Sequence, residues 1–226
     1  MAIKAADVKK LRDATGAGMM DAKKALTEAD GDFDKAVDLL RVAGQAKAAK
    51  RSDREAANGL VVGAGNALVQ IGSETDFVAK NADFVATADK IAKAVDAAKA
   101  DSKDAAAQVQ LDDGKTVAQT LEDLAGTIGE KIELADAAYF EGNTHIYLHR
   151  RSQDLPPQVG VMVEYTGEDT EAVHGVCLQI AAMNPRWVNR DEVPADVVDH
   201  ERTVAADMAR EELSLIHISE PTRRYA

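Results

Sequence analysis

The order of apolar and polar positions divides the chain into a helical opening and a mixed remainder. Val8 and Leu11 define one apolar stripe with Lys9, Lys10 and Arg12 turned outward, and Thr15-Gly16-Ala17-Gly18 ends that helix. Met19 and Met20 open a second helix in which Ala22, Ala25 and Leu26 recur on one face. Asp30-Gly31-Asp32 is a stop and restart. Gly31 suits a left-handed position past a helix end, and Asp32 stands where the next helix needs a cap. The third helix buries Phe33, Ala36, Val37 and Leu40. Three short amphipathic helices that share one small core form a bundle of the kind that serves as a docking module.

Residues 45–58 carry no large apolar side chain and read as a helical tail running into a linker. From Gly59 the period becomes two. Leu60-Val61-Val62 and residues 67–71 flank Gly63-Ala64-Gly65-Asn66, which predicts a hairpin. Residues 73–78 form an acidic turn leading to a long helix through Phe84, Ile91 and Val95; residues 101–114 are polar and expected to be irregular. A helix over 116–126 turns Val117, Leu121 and Leu124 inward. Strands are expected at 131–140, 144–149 and 159–165, with a turn at Glu141-Gly142-Asn143 between the first two. Before the third lies a loop whose Pro156-Pro157 cannot continue a ladder. A helix over 168–183 places Ala172, Val176, Ile180 and Met183 in register, and Asn184-Pro185 stops it. Residues 191–212 form a long polar helix with a narrow apolar stripe, a shape that pairs with a second arm. The expected class is α+β: a three-helix bundle, a core with small antiparallel sheets, and a long coiled-coil-type helix.

Composition narrows this picture. Of 226 residues 46% are hydrophobic and only 4% aromatic, so the cores must be built from small aliphatic side chains and should be several. A formal charge of −12 argues against a surface that tracks nucleic-acid phosphates and against a membrane role. The first 54 residues are mildly basic while the rest carries the acidic excess, which marks a domain boundary near that point. The lone cysteine, Cys177, excludes an internal disulfide and a thiolate zinc site. With no secretory leader and no run of 18 apolar residues, a cytoplasmic protein is expected.

Catalytic signatures are missing: there is no phosphate loop ending in Lys-Ser or Lys-Thr, no His-Glu-x-x-His and no nucleophile elbow. No metal or cofactor of its own is expected. Gly16-Ala17-Gly18 follows no strand and lacks a third glycine, so it reads as an interhelical turn. His145 and His149 share one face of a strand at roughly 13 Å, too far for one ion. Cys177 reads as a small buried hydrophobe. Two positions leave alternatives open. Met19 and Met20 point about 100° apart and serve either the bundle core or an adaptable docking surface. Phe77, one of four phenylalanines, either folds back onto the helix through Phe84 or protrudes with Asp76 into another protein.

The run from Leu11 to Leu26, Leu-Arg-Asp-Ala-Thr-Gly-Ala-Gly-Met-Met-Asp-Ala-Lys-Lys-Ala-Leu, together with Thr75-Asp76-Phe77-Val78-Ala79-Lys80, resembles the translation elongation factor Ts family. The stretch around Pro156-Pro157 looks most like its actinobacterial branch. The resemblance implies a guanine nucleotide exchange factor, not an enzyme, whose partner is the GTPase elongation factor Tu. It also implies that residues 1–54 are a ubiquitin-associated-like bundle that docks on the GTPase, with Arg12, Met19 and Met20 at its contact positions. In the same way Thr75, Asp76, Phe77 and Val78 match the element that disturbs the GTPase's magnesium site, and His149 matches a more distant contact. Residues 55–140 and 141–183 correspond to two core subdomains, the second partial, and 184–212 to the first arm of a helical hairpin. After Glu212 the chain departs from the family: residues 213–226 look like a translated sequencing adapter, a non-native tail in place of the second arm. The alternative is therefore a truncated binding-only module that docks the GTPase without efficient exchange.

Overall fold

The three N-terminal stripes become helices α1 (Ala5–Thr15), α2 (Met19–Glu28) and α3 (Phe33–Ala49). They belong to a computed structural model that describes residues 3–49 and 53–219, with the backbone alone at 45–49 and 213–219. Residues 50–52 of the expected linker and 220–226 of the expected tail lie outside the described residues. Val8, Leu11, Ala22, Ala25, Leu26, Ala29 and Ala36 form the bundle core, closed by half-buried Phe33, Val37 and Leu40. The stop and restart behaves as its residues dictate. Gly31 has φ +89° and its N–H donates to the Leu26 carbonyl at 2.9 Å, while Asp32 Oδ1 accepts the Lys35 N–H at 3.1 Å.

Strands β1 (Asn58–Ala64), β2 (Ala67–Ser73) and β3 (Ile132–Tyr139) make an antiparallel sheet in the order β1-β2-β3. Between β2 and β3 the chain forms α4 (Asp76–Ala79), α5 (Ala82–Ala98), α6 (Lys103–Gln108) and α7 (Val117–Ile128). Leu60, Val62, Val69 and Ile71 point to the helical side and meet Phe84, Ile91, Val95, Val117 and Leu121 in the main core. Helix α6 corrects the expectation of an irregular 101–114. Its run Ala105-Ala106-Ala107 is helix-prone, and Ala106 is fully buried in that core. The inward positions of β3 are Ile132, Leu134 and then Ala137, because a register shift opposite Gln70 and Ile71 inserts one residue and reverses the alternation.

The turn at Glu141-Gly142-Asn143 does not close a hairpin with β3. Asn66, in the β1–β2 turn, donates from Nδ2 to the carbonyls of Phe140 and Gly142 at 2.9 Å each, and its Oδ1 accepts the Thr144 hydroxyl at 2.8 Å. These bonds turn the chain out of the first sheet. Strands β4 (Thr144–His149) and β5 (Val159–Glu164) then form a separate antiparallel pair on the other face of the first sheet. A β-carbon at Gly63 would sit 3.0 Å from Ile146 Cγ2, and one at Gly160 would press on Val61 and Leu68. The Pro156-Pro157 loop caps the open edge of β1, where the Val61 N–H donates to the Pro157 carbonyl at 2.8 Å.

Helix α8 (Thr170–Met183) buries Cys177, with Val173 and Ile180 half-buried. The expected stripe is therefore rotated: Ala172, Val176 and Met183 are exposed, since a two-stranded sheet covers only a narrow strip of the helix. Residues through Ala182 form one body and those from Met183 another. In the latter, a 3₁₀ turn at Arg190–Glu192 precedes α9 (Ala195–Ser219), which starts just after Pro194 rather than at 191. Among its described side chains Val204 and Met208 are exposed.

Candidate functional site: an exposed ring on a clamped loop

The segment between β2 and α4 is short, acidic and almost fully hydrogen-bonded. Ser73, fully buried, donates its hydroxyl to the Thr75 carbonyl at 2.9 Å. Asn58 Nδ2 donates to the Glu74 carbonyl at 2.9 Å. The Glu74 carboxylate accepts the Lys131 N–H at 2.6 Å and an Arg54 guanidinium N–H at 3.0 Å. Thr75 gives both its N–H and its hydroxyl to Glu130. A loop whose polar groups are satisfied in this way has little freedom to rearrange, and it starts α4 at a defined angle.

Helix α4 then sorts its residues by face. Val78 is 6% exposed and Ala79 is buried; Val78 joins the main core beside Leu60 and Phe84. Phe77 points the other way and is 78% exposed, so it does not fold back onto α5. Asp76 is half-buried, with Lys80 Nζ 3.7 Å from Oδ2, an exposed pair of small energetic weight. Of the four residues singled out in the sequence, Asp76 and Phe77 reach outward, Val78 anchors, and Thr75 is engaged from behind. An exposed phenylalanine on a rigid support is an unused apolar surface of the type that fills a pocket on a partner.

The second group sits at the α1–α2 corner. Gly16 takes φ +67° and its N–H closes α1 on the Arg12 carbonyl at 2.8 Å, so only this glycine of the pair needs its conformational freedom. Arg12 is exposed in the last turn of α1; Met19 and Met20, 47% and 74% exposed, begin α2. Both methionines stand outside the bundle core. The corner is held against α7. A β-carbon at Gly16 would collide with the Thr127 methyl, and one at Gly44 would lie 3.4 Å from Gly126 Cα, so α3 and α7 cross with glycine against glycine. Arg41 Nε lies 3.7 Å from Asp123 Oδ1 at the same crossing.

His149 lies exposed at the end of β4, where Tyr147 Oη and His149 Nδ1 are 2.9 Å apart. His145, on the same face, instead meets His174 of α8 at 3.1 Å between ring nitrogens, and Tyr147 packs edge-on against His174. His174 was not singled out from the sequence; its position three residues before buried Cys177 on α8 was the available signal. Burial raises the Cys177 thiol above its ordinary value and keeps it neutral. Among the described residues no group of three or more His, Cys, Asp or Glu is arranged to hold a metal ion, and no helix is long and apolar enough to cross a membrane.

Comparison with known proteins assigns the chain. The family model described as elongation factor TS matches residues 74–221, a span that includes the Asp76–Phe77 segment. An elongation factor Ts from Cutibacterium acnes is 77% identical over 212 residues, covering 94% of this chain and 78% of that protein. Those from Mycolicibacterium vanbaalenii and Saccharopolyspora erythraea are 56% and 53% identical, each over 92% of this chain and 76% of their own length. With a family match over most of its length and close actinobacterial relatives, the chain belongs to the elongation factor Ts family.

Proposed function

We propose that Asp76 and Phe77 are the groups that loosen the nucleotide in the partner GTPase, and that Arg12, Met19, Met20 and His149 dock the chain on it. As a member of its family the chain is a guanine nucleotide exchange factor of translation elongation. It binds elongation factor Tu in its GDP form and promotes GDP release until GTP binds, with no covalent chemistry of its own. It works in the cytoplasm with that GTPase. The observation that carries the assignment is the exposure of Phe77 on a segment whose backbone and side chains are otherwise tied down.

A pre-set carboxylate and ring enter a partner without first paying the entropy of ordering a loop. Thr75 and Val78 supply the support from which the other two act, and the magnesium site of the GTPase is the target to be disturbed. Binding is reciprocal: if the factor weakens GDP, GDP weakens the factor by the same amount. A 10⁴-fold effect needs about 5.5 kcal/mol of differential binding. Burying one phenylalanine supplies about 1.5–3 kcal/mol. Contacts that strengthen only as the nucleotide loosens must contribute the rest, since docking that is equal with and without GDP shifts nothing.

Residues 1–54 serve as the docking module, a ubiquitin-associated-like bundle; 55–140 and 141–183 serve as the two core subdomains, the second partial, and 184–212 as the first arm of a helical hairpin. Release of labelled GDP from elongation factor Tu tests the site. Asp76→Ala should slow release while pull-down of the GDP-bound GTPase persists. Wild-type chain that binds without accelerating release would instead support the binding-only alternative.

A further inference from the structure

We propose that Glu130 is a positioning residue for nucleotide release: from the end of α7 it sets the angle at which Asp76 and Phe77 are presented. The proposal rests on the reading of that pair given above. Thr75 stands at the N-cap of α4, where a threonine hydroxyl ordinarily accepts a helix N–H. No such cap forms. The Thr75 N–H donates to Glu130 Oε2 at 3.1 Å, and its hydroxyl lies 2.9 Å from Oε1 and 3.0 Å from Oε2. Two donors of one residue on one carboxylate fix the backbone where the chain enters α4, and the next two residues are Asp76 and Phe77. A local capping rule given up for a tertiary bond is the mark of a position selected for something other than helix stability.

Glu130 is itself well placed. Gly129 ends α7 at φ +86°, and the following Lys131 N–H bonds to Glu74, so the two segments clasp each other, each offering a carboxylate to the other's backbone. The same α7 carries Gly126 and Thr127, on which Gly44 and Gly16 of the N-terminal bundle rest. One helix thus joins the docking corner to the residue that holds Thr75. Glu130 touches neither nucleotide nor metal in this account; it acts through Thr75.

The test titrates the full chain against elongation factor Tu loaded with labelled GDP and separates the plateau release rate from the half-saturating concentration. Glu130→Ala should lower the plateau by about tenfold and leave half-saturation within about twofold. Glu130→Gln, which keeps an acceptor for the Thr75 N–H, should recover to within about threefold of wild type. The triple variant Glu130→Ala/Asp76→Ala/Phe77→Ala should be no slower than Asp76→Ala/Phe77→Ala, because both groups being positioned are gone. A wild-type plateau for Glu130→Ala beside a slow Phe77→Ala overturns the positioning role alone; wild-type plateaus for both sink the site assignment with it. A triple variant slower than Asp76→Ala/Phe77→Ala also overturns it. If Glu130→Ala does not fold, Thr75→Val carries the question: a plateau about threefold lower supports the proposal, and an unchanged one rejects it.

Discussion

Phe77 and Val78 are neighbours in α4, one turned to solvent and one to the core, the first 78% exposed and the second 6%. Stability and function therefore separate between adjacent residues. Val78→Ala removes two buried methyl groups from the main core and should cost about 2 kcal/mol. Phe77→Ala should change unfolding free energy by less than about 0.5 kcal/mol. Urea denaturation of the two variants beside wild type checks both figures.

Gly16 is constrained twice, by its φ of +67° and by the Thr127 methyl in the space where a β-carbon would go. Gly16→Ala should destabilise the chain by about 1–3 kcal/mol. Thr127→Ala in that background should restore part of the loss, because it relieves the collision and not the backbone conformation. Thermal unfolding of the single and double variants measures the two parts.

Much of this organisation was legible in the sequence. Three helices, the hairpin of β1 and β2, and the outward or inward alternatives for Phe77 follow from periodicity and turn residues, and the paired motifs point to the family. What escaped was set by side chains distant in sequence. The turn at Glu141-Gly142-Asn143 is legible as a turn, but that Asn66 holds it and sends the chain to a second sheet is not. The stripe of α8 was rotated because its width depends on how many strands lie beneath it. Glu130 shows no motif at all, since its meaning lies in contact with Thr75, 55 residues earlier.

Asn66 anchors that turn with three side-chain bonds, and its N–H also donates to Asp96 Oδ1 at 2.8 Å. Asn66→Ala keeps the backbone bond and loses the other three, at a cost of about 1–3 kcal/mol. The release is local. Amide hydrogen exchange should quicken in β4 and β5 more than in α5.

Burial of Cys177 gives the stability curve an alkaline signature. Its thiol is raised in the folded chain, so above the unperturbed value of 9.0 the unfolded chain loses this proton while the folded chain retains it. Fewer protons are then bound in the unfolded state, and stability falls as pH rises. Below that value the contribution is complete. Wild type should lose unfolding free energy as pH rises above 9.0 more steeply than Cys177→Ala, which urea titrations at fixed pH would show.

In the proposed function, docking and release fall to different side chains of one compact unit, Met20 at the α1–α2 corner and Phe77 on α4. Stopped-flow release of labelled GDP from elongation factor Tu, taken across a titration of the chain, measures this most directly. Met20→Ala should raise the half-saturating concentration by about fivefold with the plateau rate unchanged, and Phe77→Ala should lower the plateau by about tenfold with half-saturation little changed. A Phe77→Ala chain that reaches the wild-type plateau would contradict the account.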